Sequence, residues 1–250
     1  MKTWIVIPCY NEAERLDEAA IVKLASEPGV SVVLVDDGST DHTWAHMEGL
    51  KVRLRDRVET LRMDRNVGKA EAVRQGMLRA IELGAEVTGY LDADFATPAS
   101  EMLRLLKRLE ASGVQVLFGS RWMHMGARIE RSAFRHYAGR VFATIASNIL
   151  DMPVYDTQCG AKLFRVTPTF KAALVESFHS RWAFDVELLG RLKEGVGETE
   201  GYDLEDFVEE PLTTWVDVEG SKINKLAMVR ATLELISIGR RLKQLQPHEA

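Results

Sequence analysis

The sequence predicts an α/β protein, a single domain built on a mostly parallel sheet flanked by helices. Short β-branched runs alternate with longer segments of helical period, which is the pattern of strands joined by crossover helices. The 250 residues are 46% hydrophobic and 28% charged, close to the average of a soluble protein with one core. No apolar run reaches the roughly 18 residues that a membrane-spanning helix needs.

The alternation also gives the order of the elements. Strands are predicted at residues 3–7, 31–35, 58–63, 87–91 and 114–118, of which 58–63 is the weakest. Helices are predicted at residues 12–25, 69–83 and 100–112. In the second helix apolar residues recur every three or four positions, so one face should pack on the sheet. The third helix follows Thr97, a candidate cap, and Pro98, which fits a first helical turn.

Charge and cysteine content exclude several classes of protein. The net charge of −5 argues against bulk attraction to nucleic acid. Residues 194–219 hold ten acidic residues and no Lys or Arg, whereas residues 222–243 hold six basic residues against Glu234; such a reversal is typical of a solvated surface. Cys9 and Cys159 are too few for a disulfide framework and are expected to be reduced thiols. The N-terminal apolar run is too short for a signal peptide, so we expect a cytoplasmic protein.

Acidic side chains follow three of the predicted strands. In an open α/β sheet the ligand lies outside the carboxyl ends of the strands, and these ends carry Glu12, Asp36 with Asp37, and Asp92 with Asp94. Clustered carboxylates raise each other's pKa unless a cation or hydrogen-bond donors stabilise them. Asp92 and Asp94 bracket one residue, which suits a hard cation, Mg²⁺ or Mn²⁺, that also binds substrate phosphates. A surface turn or helix cap is the alternative.

Two further segments are candidate ligand-binding elements. Residues 36–39 either form only a tight turn or let Asp37 accept hydrogen bonds from the base or ribose of a nucleotide. Residues 66–69 lie before a predicted helix, where backbone N–H groups and Lys69 would bind an anion; an ordinary helix start is the alternative. After residue 120 the pattern changes, so we expect residues 1–120 to form a nucleotide-binding half and 121–220 an acceptor half. Residues 221–250 would add an amphipathic helix and a tail.

Seven motifs in order resemble the family 2 glycosyltransferases of GT-A fold. They lie at residues 5–12, 35–41, 66–69, 92–94, 119–121, 156–164 and 215–223. The last two are similar to the branch of dolichyl-phosphate glucosyltransferases and mannosyltransferases. Many of the mannosyltransferases carry Gln where Ala96 stands here, so residues 94–97 and 158–160 are closer to the glucosyl branch.

The resemblance implies inverting transfer of a sugar from a nucleoside-diphosphate donor. On this basis Asp92 would contact the donor sugar or ribose, Asp94 would bind the metal, and Lys222 would contact the diphosphate. Arg121 and Arg135 would bind an acceptor phosphate. The base and ribose pocket would be lined by Pro8, Tyr10, Glu12 and Asp37.

The Arg-rich stretch bears on the acceptor. Residues 121–140 hold five Arg against Glu130, and in a helix Arg128, Arg131 and Arg135 would share one face. A phosphate monoester, with a second pKa of about 6, is already nucleophilic at neutral pH, and arginine suits its oxygens. The alternative is a solvent-facing basic helix paired with the acidic residues 194–219.

A hydroxyl acceptor would instead need a general base. Asp156 is the first candidate, and the pair Asp185 and Glu187 is the second, unless that pair only orients the arginines.

The leading hypothesis is therefore a Mg²⁺- or Mn²⁺-dependent transferase moving a hexose, glucose from UDP-glucose, to a polyprenyl phosphate. The alternatives are the same machinery with GDP-mannose or with a soluble hydroxyl acceptor, and a non-catalytic nucleotide-sugar-binding protein. We expect residues 223–243, an apolar stripe with five net positive charges over 222–243, to replace the membrane anchor of the branch by lying on an anionic bilayer. The same stripe packing on the protein's own core is the other possibility.

Overall fold

The computed structural model describes residues 1–130, 133–216 and 225–245, with the side chains of residues 130, 133–136, 138, 225–233 and 245 left outside the description. The strands are β1 (Thr3–Cys9), β2 (Val30–Asp36), β3 (Val58–Arg62), β4 (Val87–Leu91), β5 (Val116–Ser120), β6 (Arg128–Glu130), β7 (Ala161–Arg165), β8 (Phe207–Pro211) and β9 (Thr214–Val216). The helices are α1 (Glu18–Ser26), α2 (Thr43–Leu54), α3 (Lys69–Glu82), α4 (Ala99–Glu110), α5 (Ala133–Leu150), α6 (Pro168–Ala173), α7 (Phe184–Glu194) and α8 (Lys225–Leu245).

The described chain forms a sheet of seven strands in the order β3-β2-β1-β4-β7-β5-β8. Neighbouring strands are parallel except where β7 pairs antiparallel with both β4 and β5. Strands β6 and β9 form a separate parallel pair. The predicted fold class, a mostly parallel sheet flanked by helices in one domain, is confirmed.

Side chains alternate between the two faces of the sheet, as strand geometry requires. In β1, Val6 joins a core that holds Met77 of α3 and Phe184 of α7. Its neighbours Ile5 and Ile7 join the opposite core, which includes Ile21 of α1 and residues of α4. Because the central strands are apolar on both faces, helices must cover both.

Most predicted boundaries lie within two residues of the structure, and three details of the predicted elements need comment. The first helix begins at Glu18, because the carbonyl of Glu12 accepts hydrogen bonds in a turn and the Asp17 side chain caps the helix through the N–H of Ala20. Helix α4 has Pro98 at its N-cap with no side-chain cap, so the predicted capping by Thr97 is wrong. Strand β5 begins two residues later than expected.

Helix α8 packs against the protein with part of its apolar stripe. Leu235, Ile238 and Leu242 are buried in the core that α8 shares with α7. Ile236 is 45% exposed, and Arg240 and Arg241 are exposed. The described part of the helix thus follows the packing alternative on one face and leaves a basic surface on the other. Within the described residues, no helix has the length and apolar character needed to cross a membrane.

Candidate active site

The carboxyl ends of β1, β2 and β4 meet at one rim of the sheet, around a cleft of about 370 Å³. Most of the predicted donor-site residues are among those that line it. The lining residues are Pro8, Cys9, Tyr10, Glu12, Arg15, Asp37, Asn66, Gly68, Lys69, Asp92, Ala93 and Asp94. A set of side chains from distant parts of the sequence is thereby brought into one concave surface.

Asp37 lies at the wall of the cleft and is bound by the loop before α3. Its Oδ1 accepts from the N–H of Val67 at 2.7 Å, and its Oδ2 accepts from the N–H of Gly68 at 2.9 Å. Burial raises the pKa of Asp37, and the two amides oppose that shift. The sequence suggests that these two N–H groups bind an anionic ligand. That part of the prediction needs correction, because both groups already donate to Asp37.

The turn that presents Asp37 depends on a glycine. Gly38 has a φ of +69°, and a Cβ there would lie 2.4 Å from the carbonyl carbon of Arg65. Only glycine avoids both the strained backbone and the clash. The loop after β2 therefore lies directly against the loop before α3.

Residues after β1 form the opposite wall. Glu12 is buried, accepts from the guanidinium of Arg15 at 2.8 Å, and has its own N–H bonded to Thr43 Oγ1 at 2.8 Å. Tyr10 also lines the cleft and is 44% exposed. Arg15 was not singled out from the sequence, although its spacing of three from Glu12 was the available signal.

Asp92, Asp94 and Lys69 form the floor. The ammonium of Lys69 lies 2.6 Å from Asp92 Oδ1. Burial tends to lower the pKa of Lys69. The carboxylates of Asp92, Asp185 and Asp94 nevertheless hold this pKa above its ordinary value. Burial, followed by the like charge of Asp92, raises the pKa of Asp94.

These carboxylates fit a divalent cation bound largely by substrate. Asp92 and Asp94 both line the cleft, and the like charge of Asp92 adds to burial in raising the pKa of Asp94, a repulsion that a bound cation would relieve. Among the described residues no group of three or more His, Cys, Asp or Glu side chains could hold a metal alone. A cation here would take one or two carboxylates and fill its other positions with phosphate oxygens and water, as Mg²⁺ commonly does.

Arg121 and Asp156 are brought together, but they bind each other. The guanidinium reaches Asp156 Oδ2 at 2.6 Å and Oδ1 at 2.7 Å, and the backbone N–H of Arg121 adds a bond at 3.1 Å. Burial tends to lower the pKa of Arg121, but the Asp156 carboxylate holds this pKa above its ordinary value. The guanidinium also lies 5.5 Å from the centre of the Trp215 ring. Glu209 accepts from the N–H of Asp156 at 2.7 Å, so part of the acidic segment supports this pair.

The expected helical face of three arginines is wrong in one member. Arg128 belongs to β6, which pairs with β9, so it lies outside helix α5, which contains Arg135. Arg131 and Lys222 lie outside the described residues, and Arg135 is in α5 with its side chain outside the description. Their predicted roles remain predictions.

The second candidate for the general base, the pair Asp185 and Glu187, is engaged in two other ion pairs. Asp185 and Glu187 are buried at the start of α7. Asp185 pairs with Lys162 at 2.9 Å, and Glu187 pairs with Arg191 at 2.7 Å. Within the described chain, neither contacts an arginine of residues 121–140. Lys162 was missed from the sequence; its signal was a lysine inside the apolar run 161–164.

A carboxylate-lined cleft at the carboxyl ends of a mostly parallel sheet is the arrangement expected of a GT-A glycosyltransferase. Comparison with known proteins agrees, since the family model described as glycosyl transferase family 2 matches residues 4–172. The chain belongs to this family.

Its relatives include dolichyl-phosphate β-glucosyltransferases. The Drosophila melanogaster protein is 35% identical over 236 residues, which covers 88% of this chain and 68% of the relative. The Saccharomyces cerevisiae protein is 30% identical over 246 residues with the same coverage.

Solved structures show the same fold. The glucosyl-3-phosphoglycerate synthase of Mycobacterium tuberculosis with uridine diphosphate has a TM-score of 0.68 at 14% identity, over 99% of this chain and 82% of that chain. The same protein with Mn²⁺, UDP-glucose and phosphoglyceric acid also has a TM-score of 0.68.

Proposed function

We propose that this chain is an inverting, metal-dependent hexosyltransferase that moves glucose from UDP-glucose to a polyprenyl or dolichyl phosphate. The observation that carries the proposal is the cleft, in which Asp37, Asp92, Asp94 and Lys69 converge at the carboxyl ends of β2 and β4 and the start of α3. The names of the relatives support the glucosyl donor and the dolichyl phosphate acceptor.

The donor would bind along this rim. Pro8, Tyr10, Glu12 and Asp37 would surround the base and ribose, and Asp92 would contact the ribose or the sugar. Lys69 supplies a cation next to Asp92. Together with Lys222, it would stabilise the negative charge that develops on the leaving diphosphate, and such electrostatic stabilisation is a large part of catalysis.

Asp94 would hold the cation, Mg²⁺ or Mn²⁺. When bound, a divalent ion supplies Lewis-acid charge stabilisation and orients the diphosphate. A solved relative in fold contains Mn²⁺ together with UDP-glucose, which supports a metal of this type.

The geometry around Asp156 favours a phosphate acceptor over a hydroxyl. Asp156 is buried, and both of its carboxylate oxygens already accept hydrogen bonds from the Arg121 guanidinium, an arrangement that does not suit a general base for a hydroxyl. A phosphate dianion needs no base. Arg121, Arg131 and Arg135 would bind that phosphate in the half formed by residues 121–220, with Arg121 turning partly from Asp156.

Peripheral contact with a membrane follows from a lipid acceptor. The exposed Arg240 and Arg241 of α8 offer positive charge to an anionic bilayer, at about 1 kcal/mol for each residue near the surface. This contact would place the enzyme on the cytoplasmic face while Leu235 and Ile238 keep the helix on the protein.

A panel of nucleotide sugars tests the proposal. UDP-glucose and GDP-mannose are each incubated with a polyprenyl phosphate or a soluble hydroxyl acceptor, in Mg²⁺, Mn²⁺ or EDTA. We expect transfer only from UDP-glucose to the lipid phosphate with metal, and a thermal shift equivalent to about 2.7 kcal/mol at a hundredfold excess over Kd. Transfer from GDP-mannose or to the hydroxyl would replace the proposal by that alternative; binding without any transfer would leave a nucleotide-sugar-binding protein.

A further inference from the structure

A buried lysine lies directly behind the cleft. Lys162 is in β7, opposite Tyr90 of β4 and Phe118 of β5, and its side chain has no exposed surface. Its ammonium is 5.5 Å and 5.9 Å from the centres of those two rings. A charged group in such surroundings costs free energy unless it is paired, and burial lowers the pKa of Lys162 to about 8.

Two acceptors hold this ammonium. Lys162 donates to the carbonyl of Cys159 at 2.6 Å and lies 2.9 Å from Asp185 Oδ1. The Tyr90 hydroxyl donates to the same carboxylate, and Gln158 Nε2 reaches its other oxygen at 3.4 Å. Because apolar replacements of buried ion pairs are often at least as stable, stability alone does not explain this network.

One branch of the network reaches Asp92 through the turn after Cys159. The carbonyl of Gly160 accepts the N–H of Asp92 at 3.0 Å. Gly160 also lies against the Asp92 carboxylate so closely that a Cβ there would be 2.1 Å from Oδ2. The Lys162 bond to Cys159 therefore fixes the surface on which Asp92 rests.

The second branch reaches Asp92 through Lys69. The Asp185 carboxylate, after that of Asp92, raises the pKa of Lys69 against the effect of burial. The Lys69 ammonium lies over the rings of Tyr90 and Phe184, at 5.6 Å and 5.9 Å, and 2.6 Å from Asp92 Oδ1. Charges thus alternate from Lys162 through Asp185 and Lys69 to Asp92.

We propose that Lys162 and Asp185 are positioning residues that fix the Asp92 carboxylate at the floor of the cleft. They act through the Cys159–Gly160 turn and through Lys69. The proposal rests on the proposed function, since it takes Asp92 as a donor-site residue. Lys162 itself touches no substrate, because it is closed off from the cleft by the residues it positions.

A double-mutant cycle in the full chain tests the proposal. Lys162→Met, Asp92→Asn and the combination are compared by kcat and KM for UDP-glucose with a polyprenyl phosphate acceptor. We expect Lys162→Met to lower kcat/KM about 10²-fold, as an error of about 1 Å in a site does. The combination should be no slower than Asp92→Asn alone, since both act on the same group.

Arg191→Met is the matched control. Arg191 is a buried cation on α7, the helix that also carries Asp185. Its guanidinium donates to Glu187 and to the carbonyls of Ala173 and Glu176. We expect it to lower Tm while kcat/KM stays within about twofold of wild type. If Arg191→Met lost as much activity as Lys162→Met, the loss would be a general effect of instability and the proposal would be overturned. The proposal would also be overturned if the separate losses of Lys162→Met and Asp92→Asn multiplied in the combined variant.

Two measurements keep the test decisive. If Lys162→Met does not fold, Tyr90→Phe removes only one hydrogen bond to Asp185 and should give a loss of a few-fold, again absent in the Asp92→Asn background; additive losses would overturn the proposal. Hydrogen exchange at the Asp92 amide needs no substrate, and Lys162→Met should speed it more than Arg191→Met does. An unchanged exchange rate refutes the positioning, whereas a wild-type enzyme that transfers no sugar refutes only the proposed function.

Discussion

Replacing Gly160 by alanine perturbs the floor of the cleft through a single methyl group. Gly160 does not have a positive φ, so its backbone admits alanine without strain and only the new contact matters. That Cβ would lie 2.1 Å from Asp92 Oδ2 and 2.2 Å from its Cγ. Ordinary contact begins near 3.4 Å, so the carboxylate must move by about 1.3 Å or the turn must retreat.

The magnitude follows from two effects. Overpacking of this kind costs about 1–3 kcal/mol of stability, and about 2–4 °C of Tm accompanies each kcal/mol in a chain of this length. A misplacement of about 1 Å in an active site costs about 10²-fold in rate, equivalent to about 2.7 kcal/mol. Movement of Asp92 also lengthens its 2.6 Å contact with Lys69. We therefore expect a large loss of kcat/KM in a protein that is still folded.

The assay compares kcat/KM of sugar transfer with Tm from thermal unfolding. Gly49→Ala is the control, because Gly49 is in α2 and a Cβ there meets nothing within 4 Å; alanine in a helix should be neutral or stabilise by about 0.5–1 kcal/mol. Wild-type kcat/KM in Gly160→Ala would refute the role of this contact. A fall in Tm without loss of activity would show that the contact serves packing alone.

Four further results are expected. Asp94→Asn should abolish metal-dependent transfer with Tm unchanged, and full wild-type activity in excess EDTA would remove the metal assignment. Arg135→Ala should raise the acceptor KM or lower kcat while the nucleotide Kd from calorimetry stays the same; an equal loss of nucleotide binding would move it to the donor site. Burial raises the pKa of Asp185 to about 7, so its contribution to the free energy of unfolding is greatest below about pH 4 and is lost as pH rises to 7; chemical denaturation of Asp185→Asn should lack this part of the slope. Arg240→Glu with Arg241→Glu should abolish salt-sensitive binding to anionic liposomes, and binding unchanged by the reversal would exclude this surface.

The sequence predicts well the strands whose carboxyl ends line the cleft. Residues 31–35 and 87–91 carry no charged side chain and are buried on both faces, and such segments are recognisable because parallel strands need no polar face. Since the carboxyl ends of these strands share one rim, the sequence predicts that Asp37, Asp92 and Asp94 lie together, and all three line the cleft. Local pattern and topology suffice for that inference.

The remaining features depend on contacts that local pattern does not contain. Strand β7 carries Lys162 in a buried position. The sequence does not predict this burial, because a lysine is rarely buried without a partner and Asp185 lies 23 residues further along the chain. The bond between Arg121 and Asp156 spans 35 residues. Arg128 fits a helical spacing, but pairing with β9 makes it part of a strand, so tertiary contact overrides the local preference.

The antiparallel strand β7 has a consequence for how the chain folds. It lies between β4 and β5, so the two strands that border it are not paired with each other. A fragment ending at residue 120 would expose unpaired edges of β4 and β5, which invite aggregation. Residues 1–120 therefore cannot complete their part of the sheet during synthesis until about 70 further residues have followed β4, and loop closure of that kind slows folding. A fragment of residues 1–120 is thus expected to behave as an aggregation-prone intermediate, and the residues that supply β7 are required for the fold.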